Sequence, residues 1–361
     1  MSSVPQQFAK LAFDSCQALK AQIEVTTRCN YRCGHCYNFD RQEPGAKGHP
    51  GLPTQSWKDI IQQIAELGVL ELTFTGGEAT LRSDLAELIN FANTHSLFVN
   101  LRTNGALLSA SQVNAYAAAG LRDLDITLYG FSPESHDKFT GSKGSFEKTL
   151  NNLESLVINQ PQLRTFITIA LLNHNRHETH LLKQLQTRLN RNIRVNIACN
   201  GRNDFELNSL NHALPLAEHV KLWPVEKHDI DKLTGPEAGD ASTFRCGCAR
   251  ISLFINAEGI VTPCAEVPWE AGDLKTTSLR EIWDHSKVFD QIRNLTAQDW
   301  QTCNGCALTK VCGRRNCTAY KLNGNYTDPD PQHGQLAYAR FKDYGVDKPP
   351  CLVSSTETSE S

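Results

Sequence analysis

The sequence predicts an α/β fold, in which a partial (β/α)6 TIM-like barrel is followed by a small cysteine-rich domain. Between residues 22 and 198, short β-branched runs alternate with amphipathic stretches, which is the pattern of repeated βα units rather than of a β sandwich. The 361 residues are enough for such a barrel with a small appendage. The 13 cysteines are unevenly spread, and those between residues 246 and 351 mark the appendage.

The elements of the barrel can be assigned from periodicity. Apolar residues recur at three- and four-residue steps from Trp57 to Leu67, which predicts a helix with one buried face that ends at Gly68. Because right-handed crossovers place successive parallel strands side by side, the units form an incomplete barrel with functional loops at the strand carboxyl ends. The predicted strands are 22–27, 70–75, 98–103, 124–129, 166–171 and 193–198. Further helices are predicted over 81–95, 109–119, 144–158 and 177–189.

The chain divides by composition into five parts. Within the barrel, residues 40 to 53 are rich in Gly, Pro and Lys and are expected to form a flexible connection. The Ser/Thr/Glu-rich end from Ser354 is expected to be disordered. The predicted parts are an amino-terminal extension (1–20), the barrel (21–200), a bridging region (201–243), the cysteine-rich domain (244–351) and a tail (352–361).

Charge and hydropathy exclude several classes of partner. The net charge of -3 comes without a basic stripe, so we expect no nucleic-acid partner. No apolar run approaches the roughly 20 residues of a membrane span, and the polar start lacks a signal peptide, so we expect a cytoplasmic protein without a membrane partner. Cytosolic cysteines bind metal more often than they form disulfides. Cys16 and Cys199, which stand apart, are expected to be ordinary buried thiols.

The first group of cysteines directly follows the first predicted strand. Cys29, Cys33 and Cys36 lie in a loop that offers little to a packed core. Iron–sulfur cubanes are normally held by four cysteines, so three leave one iron without a protein ligand and open to another molecule. A zinc site with His35 as fourth ligand is the alternative, since zinc accepts three cysteines and one histidine.

A second motif lies at the end of the second predicted strand. Gly76 and Gly77 permit close approach of the backbone to a ligand, and Glu78 follows them. Alone, Gly-Gly-Glu is more often an ordinary turn. Its position after the cysteine loop in a barrel makes it more specific.

Together, the spacing Cys-x3-Cys-x2-Cys and the Gly-Gly-Glu motif resemble the radical S-adenosylmethionine (SAM) superfamily. The resemblance implies that the three cysteines hold a 4Fe-4S cluster whose open iron binds the amino and carboxylate groups of SAM. It also implies that Gly76 and Gly77 contact the methionyl amino group, with Glu78 nearby as a polar partner. Ala79 stands where the family frequently has proline, and we expect little consequence.

Other polar residues have weaker parallels in that family. Thr103 and Asn104 end the third strand and Thr127 lies in the fourth, where they could meet the SAM ribose or carboxylate; an Asn-Gly turn and a β-former are the alternatives. Tyr37 resembles the aromatic position beside the adenine, unless it only packs. The segment 136–146 resembles one of peptide-modifying members, in which Lys143 could replace a missing arginine or simply be solvated.

The carboxyl-terminal cysteines resemble the SPASM extension of radical SAM peptide maturases, which carries two auxiliary clusters. The chain would thus hold three 4Fe-4S clusters, and a structural zinc in place of one is the alternative. A spacing of x4 rather than x3 before Cys317 departs from the family pattern by one residue. The resemblance implies an inner cluster on Cys246, Cys248, Cys264 and Cys317, and an outer cluster on Cys303, Cys306, Cys312 and Cys351.

The resemblance also implies an activity. A donor such as flavodoxin or ferredoxin would supply an electron, and a 5'-deoxyadenosyl radical would take hydrogen from a side chain of a precursor peptide. The expected product is an oxidative crosslink, of cyclophane or thioether type, in a ribosomally synthesised peptide. Only about 20 residues precede the first strand, so we expect a separate peptide-recognition protein, another docking surface such as strand addition, or a different substrate class.

Two alternatives to this activity are open. An anaerobic sulfatase-maturating enzyme would make formylglycine from Cys or Ser and would need a general base, for which Asp125 is a candidate; a solvated acid is its ordinary interpretation. An iron–sulfur electron carrier or a zinc-stabilised binding module is the alternative from another class. Neither of the latter explains the cysteine loop joined to Gly-Gly-Glu.

Overall fold

The computed structural model describes residues 4–38, 48–222, 225–234 and 241–353. Most of the connection predicted at 40–53 lies outside the described residues, as does the tail from Ser354. The strands of these described residues form one nine-stranded sheet.

The first six strands pair in parallel in chain order, as repeated βα units require. They are β1 (Lys20–Glu24), β2 (Glu71–Thr75), β3 (Phe98–Thr103), β4 (Leu121–Leu128), β5 (Arg164–Ala170) and β6 (Ile193–Asn196). All six predicted strands are present, although β1 and β4 begin two and three residues before the predicted positions. The α/β partial barrel is confirmed.

Helices cover the outer face of the barrel strands. They are α2 (Thr54–Glu66), α3 (Leu85–Thr94), α4 (Ala110–Ala118), α5 (Pro133–Thr140), α6 (Ser145–Asn159) and α7 (Leu182–Leu189). In α2 the predicted face is buried: Trp57, Ile61 and Ile64 are fully inaccessible. The short helix α5 has no counterpart among the predictions. No helix of the described ranges is long and apolar enough to cross a membrane.

The cysteine-rich region continues the barrel sheet. Strand β7 (Ser252–Ile255) pairs in parallel with β1, and β8 (Ile260–Thr262) and β9 (Gly272–Asp273) follow as antiparallel strands. The bridging region contains α8 (Leu216–Leu222) and α9 (Lys227–Thr234). The remaining helices are α10 (Leu279–His285), α11 (Lys287–Arg293), α12 (Asn316–Asn323), α13 (Pro331–Phe341) and α14 (Pro350–Val353).

The predicted amino-terminal extension joins the two regions. It begins with helix α1 (Val4–Asp14). The Cys16 carbonyl accepts a 3.1 Å hydrogen bond from Trp283 Nε1, and the guanidinium of the buried Arg250 lies 5.0 Å from the centre of the Phe13 ring. The extension therefore packs against residues that come more than 200 positions later.

Candidate functional site

A cavity of about 490 Å³ lies where the barrel strands end. Parallel strands place their carboxyl ends at one edge of the sheet, so residues far apart in sequence meet there. Its lining includes the loop cysteines and most of the candidate SAM-binding residues: Cys29, Cys33, Cys36, Tyr37, Gly76, Gly77, Thr103, Asn104 and Thr127. The structure thus brings the cysteine loop and the candidate SAM-binding residues to one place.

The cysteine loop is ordered by local hydrogen bonds. The amide of Cys36 donates to the Cys33 carbonyl at 3.1 Å, and the amide of Tyr31 donates to Cys29 Sγ at 3.4 Å. Burial and then the nearby charges of Cys33, Cys29 and Cys36 raise the pKa of Tyr129 well above its ordinary range. None of the three thiols forms a disulfide, and all three lie near this one phenol.

His35, the fourth ligand of the zinc alternative, lies among aromatic rings. Its ring packs against Tyr129 and Phe139, with centroid distances of 5.3 and 5.1 Å, and burial lowers the pKa of His35 to about 4. In the described part of the chain, no three Cys, His, Asp or Glu side chains converge as ligands of a single ion do.

The two glycines are required by backbone packing as well as by the cavity. A Cβ atom on Gly77 would lie 2.0 Å from the Arg28 carbonyl oxygen, and one on Gly76 would lie 2.5 Å from the Thr26 carbonyl oxygen. The Gly77 amide donates to that Thr26 oxygen at 2.7 Å. Because glycine has no side chain, the end of β2 can pack against the backbone that leads into the cysteine loop.

Glu78 does not line the cavity but lies behind its wall. Only 1% of Glu78 is exposed, and its carboxylate accepts a hydrogen bond from the Thr103 hydroxyl at 2.6 Å and another from the Asn104 amide at 2.8 Å. The Asn104 side chain in turn donates to Asn30 Oδ1 in the cysteine loop at 2.8 Å. Glu78 thus positions the end of β3 against the cysteine loop.

Besides Glu78, two further predicted residues are not brought to the cavity wall. Asp125 lies deeper along β4, where its carboxylate is 3.4 Å from Arg194, and burial raises its pKa against the opposing charges of Arg194 and Arg102. Lys143 is exposed in the turn between α5 and α6. Near the cysteine loop, the cavity is instead lined by the cation of Arg32, which hydrogen-bonds the Tyr31 carbonyl at 3.2 Å.

Sequence reasoning missed an acid that comes from the cysteine-rich region. Glu266 lies two residues after Cys264 and is the one Asp or Glu among the described residues that line the cavity. Its carboxylate is 2.7 Å from Lys321 Nζ, which is buried and also donates to the Gly201 carbonyl at 2.6 Å. No local motif marks Glu266, because its partner and the cavity come from distant parts of the chain.

The four cysteines assigned to the inner cluster lie together. Cys246 Sγ is 3.3 Å from Cys248 Sγ, and Cys248 also hydrogen-bonds Cys264. Burial, followed by the charge of Cys264, raises the pKa of Cys317 to about 12. Since Cys264 also lines the main cavity, the inner set stands at the border between the barrel site and the cysteine-rich region.

The four cysteines assigned to the outer cluster line a small cavity of their own, together with Arg314 and Asp330. Burial raises the pKa of Cys312 to about 12 and that of Cys351 to about 11. Thiols in such surroundings are protonated at neutral pH unless a cation is present, and iron would stabilise their thiolates. Both sets therefore have the donor chemistry that a four-cysteine cluster needs. The four residues are Cys303, Cys306, Cys312 and Cys351.

Comparison with known proteins accords with this geometry. The model of the radical SAM superfamily matches residues 23–185, and that of the SPASM iron–sulfur cluster-binding domain matches residues 246–307. The chain belongs to the radical SAM superfamily. This radical SAM enzyme carries a SPASM domain, and the two families imply SAM and 4Fe-4S clusters as its cofactors.

Its relatives share most of its length. An AdoMet-dependent heme synthase of Methanosarcina barkeri is 27% identical over 331 residues, covering 85% of this chain and 94% of the relative. A PqqA peptide cyclase of Rhizobium meliloti is 29% identical over 338 residues, covering 85% and 84%. The crystal structure of Streptococcus suis SuiB bound to precursor peptide SuiA superposes with a TM-score of 0.63 at 17% identity, covering 88% and 76%, which shows a shared fold.

Proposed function

We propose that this radical SAM enzyme oxidises a side chain of a ribosomally synthesised precursor peptide and leaves an oxidative crosslink of cyclophane or thioether type. When bound, SAM and the reduced cluster on Cys29, Cys33 and Cys36 supply the 5'-deoxyadenosyl radical that removes the hydrogen atom. The similarity to a PqqA peptide cyclase, 29% identical, supports a peptide as substrate.

The observation that carries this proposal is the cavity wall at the β6 end of the sheet. Asn196, which is exposed at the end of β6, and Asn200 present side-chain amides there. Amide groups both donate and accept, so they can pair with the backbone of an extended peptide. Strand β6 pairs with β5 alone within the described residues, which leaves its other edge for such a chain.

Glu266 is the acid that the cavity offers for the proton that an oxidation releases. Its carboxylate faces the site from the SPASM side, and Lys321 holds it there through the 2.7 Å ion pair. A positioned carboxylate can accept a proton from a reacting group. Asp125, the base predicted from the sequence, lies off the cavity wall and is paired with Arg194.

The auxiliary cysteines support a route for the electron. We assign three 4Fe-4S clusters to the chain, because two further sets of four cysteines lie together in the SPASM region. Clusters with four cysteine ligands have no open iron for a substrate, so electron transfer is their expected role. A flavodoxin or ferredoxin would reduce the first cluster, and a separate protein could recognise the precursor.

A second candidate substrate is a tetrapyrrole. The heme synthase relative is 27% identical, and Arg102 places a guanidinium on the cavity wall that could bind a carboxylate. Formylglycine formation, as in a sulfatase-maturating enzyme, is a further alternative that also acts on a peptide. A changed porphyrin mass would identify the tetrapyrrole reaction. A crosslink and a formylglycine made from Ser both remove two hydrogen atoms from the peptide, so these two products are separated by the reaction of the formylglycine aldehyde with a hydrazide.

The test begins with protein purified without oxygen and reconstituted with iron and sulfide. SAM, a strong reductant and a candidate precursor peptide, sought among short reading frames beside the gene, are added, and 5'-deoxyadenosine and peptide mass are measured. We expect peptide-dependent 5'-deoxyadenosine and a peptide that has lost two hydrogen atoms. With a deuterated peptide, deuterium should enter the 5'-deoxyadenosine.

Cys33→Ala should abolish SAM cleavage and retain iron in the SPASM region, because only one of the three cysteine sets is broken. The control is Cys16→Ala, which removes a thiol outside all three sets. A Cys33→Ala protein with normal SAM cleavage would overturn the assignment of the site. SAM cleavage that responds to a porphyrin and not to any peptide would favour the tetrapyrrole reaction.

A further inference from the structure

A second cavity of about 430 Å³ adjoins the site. It lies between α13 of the SPASM region and the segment that follows β6, and it shares Ala198 and Asn200 with the main cavity. We call it the Arg315 groove. Its other main wall residues are Ile197, Leu214, Leu216, Gln335, Leu336 and Arg340.

The charge of the groove has one sign. Among the described residues that line it there is no Asp or Glu, whereas Arg315 and Arg340 both contribute guanidinium groups. Arg340 lies 3.3 Å from Asp229, which is outside the lining. Arg315 is exposed and forms no side-chain ion pair with another described residue. The groove therefore presents net positive charge to whatever enters it.

Apolar side chains stand beside these charges. Leu214 is buried, with 5% of its surface exposed, and Leu216 and Leu336 are partly buried on the same wall. Since Arg340 already pairs with Asp229, a ligand that fits would offer a carboxylate to Arg315 and apolar side chains to the leucines. A peptide segment with mixed acidic and apolar residues meets both demands, because side chains of an extended chain alternate between two faces.

The position of the groove agrees with an extended chain. The segment 197–200 continues directly from β6, whose free edge ends at Asn196 beside the main cavity. A chain that pairs along this edge can place one residue in the main cavity and its neighbouring segment in the groove. Strand addition provides main-chain hydrogen bonds, and the arginines and leucines would provide selectivity.

We infer that the Arg315 groove binds an acidic and apolar segment of the substrate peptide, next to the residue that is oxidised. This inference rests on the proposed function and names the docking surface of the same substrate. It also places recognition on this chain itself, whether or not a separate recognition protein assists.

The test uses the reconstituted full-length protein and a fluorescein-labelled peptide that alternates glutamate with leucine. Matched peptides that alternate glutamine or lysine with leucine are the controls for charge. Fluorescence anisotropy should show saturable binding of the glutamate peptide and weaker binding of the other two. A photoreactive benzoylphenylalanine in the peptide should crosslink to α13 or to residues 197–200.

Two kinds of variant locate the binding. Arg315→Glu should weaken binding of the glutamate peptide by about tenfold, because one charge is reversed. At the exposed Gln335 of α13, Gln335→Glu should weaken and Gln335→Lys should tighten binding, each by about threefold. The two Gln335 variants break no side-chain hydrogen bond or ion pair within the described residues. They therefore test binding in the groove even if Arg315→Glu is poorly folded. Arg122→Glu, at the amino end of β4, is the matched control.

The inference is overturned by absent saturable binding, by preference for the lysine peptide, or by equal effects of the two Gln335 variants. These outcomes are distinct from failure of the proposed function. If the precursor loses hydrogen atoms while the groove variants leave probe binding unchanged, only the groove assignment falls. If the probe binds as expected and no peptide supports SAM cleavage, only the proposed reaction falls.

Discussion

The ion pair between Glu266 and Lys321 joins the SPASM region to the barrel site. Lys321 Nζ is almost fully buried, with 1% of the side chain exposed, while 26% of the Glu266 side chain is exposed toward the cavity. A buried ammonium is costly unless it is paired and hydrogen-bonded. Glu266 and the Gly201 carbonyl supply these partners, so the same carboxylate serves the fold and faces the substrate.

Breaking this ion pair should therefore lower the free energy of unfolding, apart from any effect on catalysis. We expect Glu266→Gln to lower the free energy of unfolding by about 3 kcal/mol, because it leaves the buried ammonium without its counter-charge. The double variant Glu266→Gln with Lys321→Met should recover part of this loss. Urea unfolding of the four proteins in the cycle measures both effects. Strict additivity of the two single changes would show that the pair is not coupled.

At the residue scale, site residues could be predicted from the sequence only where they lie close together along the chain. Cys29 and Cys36 are close in sequence, so their loop could be recognised before the fold was known. Glu266 and Lys321 are 55 positions apart and become functional only when the SPASM region closes on the barrel. Lys143 was singled out by its position in a family-like segment, and the structure leaves it exposed.

Helix α5 shows how a short element can support a site without belonging to it. Its last residue, Thr140, accepts a 2.8 Å hydrogen bond at its carbonyl from the amide of Arg32 in the cysteine loop. His136 is fully buried in the same helix, and its Nδ1 lies 3.0 Å from Ser145 Oγ at the start of α6. The helix thus fixes one side of the cysteine loop.

His136 should make the stability of the protein depend on pH. Burial lowers the pKa of His136 to about 4, against an opposing effect of Asp137, whereas the unfolded chain has a pKa of about 6.5. Between about pH 6.5 and pH 4, His136 is protonated in the unfolded state but neutral in the folded state. Stability is therefore lost as the pH falls from about 6.5 toward 4. Between pH 7.5 and 5.5 this loss should be about 1 kcal/mol.

The measurement is the urea-induced unfolding of the holoprotein at these two pH values. The wild type should lose about 1 kcal/mol more than His136→Gln does on acidification. His180→Gln, at an exposed position, should keep the wild-type dependence. An equal loss in wild type and His136→Gln would exclude His136 as the cause.

At the element scale, the long periodic segments were predictable and α5 was not. Strands such as β3 and β5 have β-branched runs, and α2 has a clear apolar face. Helix α5 has eight residues and is mostly polar, so no period identifies it; its capping by Ser132 and its end at Gly141, with a φ of 65°, become visible only in the structure. Strands β7 to β9 are too short to distinguish from turns.

Across the described part of the chain, the strands form one sheet and the buried apolar side chains form one principal core. Parallel pairing of β7 with β1 carries the barrel sheet into the SPASM region, although the sequence predicts two separate domains. Ile23 and Leu72 of the barrel belong to the same buried cluster as Val261 and Trp283. Two regions that share strand pairs and core side chains should not unfold independently.

We therefore expect Trp283→Phe to weaken both regions equally. The change removes the 3.1 Å hydrogen bond from Trp283 Nε1 to the Cys16 carbonyl and should cost about 1 kcal/mol. Hydrogen exchange with mass spectrometry in increasing urea can follow peptides from β2 and from β8 separately. Their midpoints should coincide in the wild type and fall together in the variant. Tyr344→Phe, at a half-exposed ring, is the control that should move neither midpoint. If only the midpoint of the β8 peptides fell, the SPASM region would be an independent folding unit. Electron transfer between its clusters and the barrel site would then depend on docking of the two regions rather than on a shared sheet.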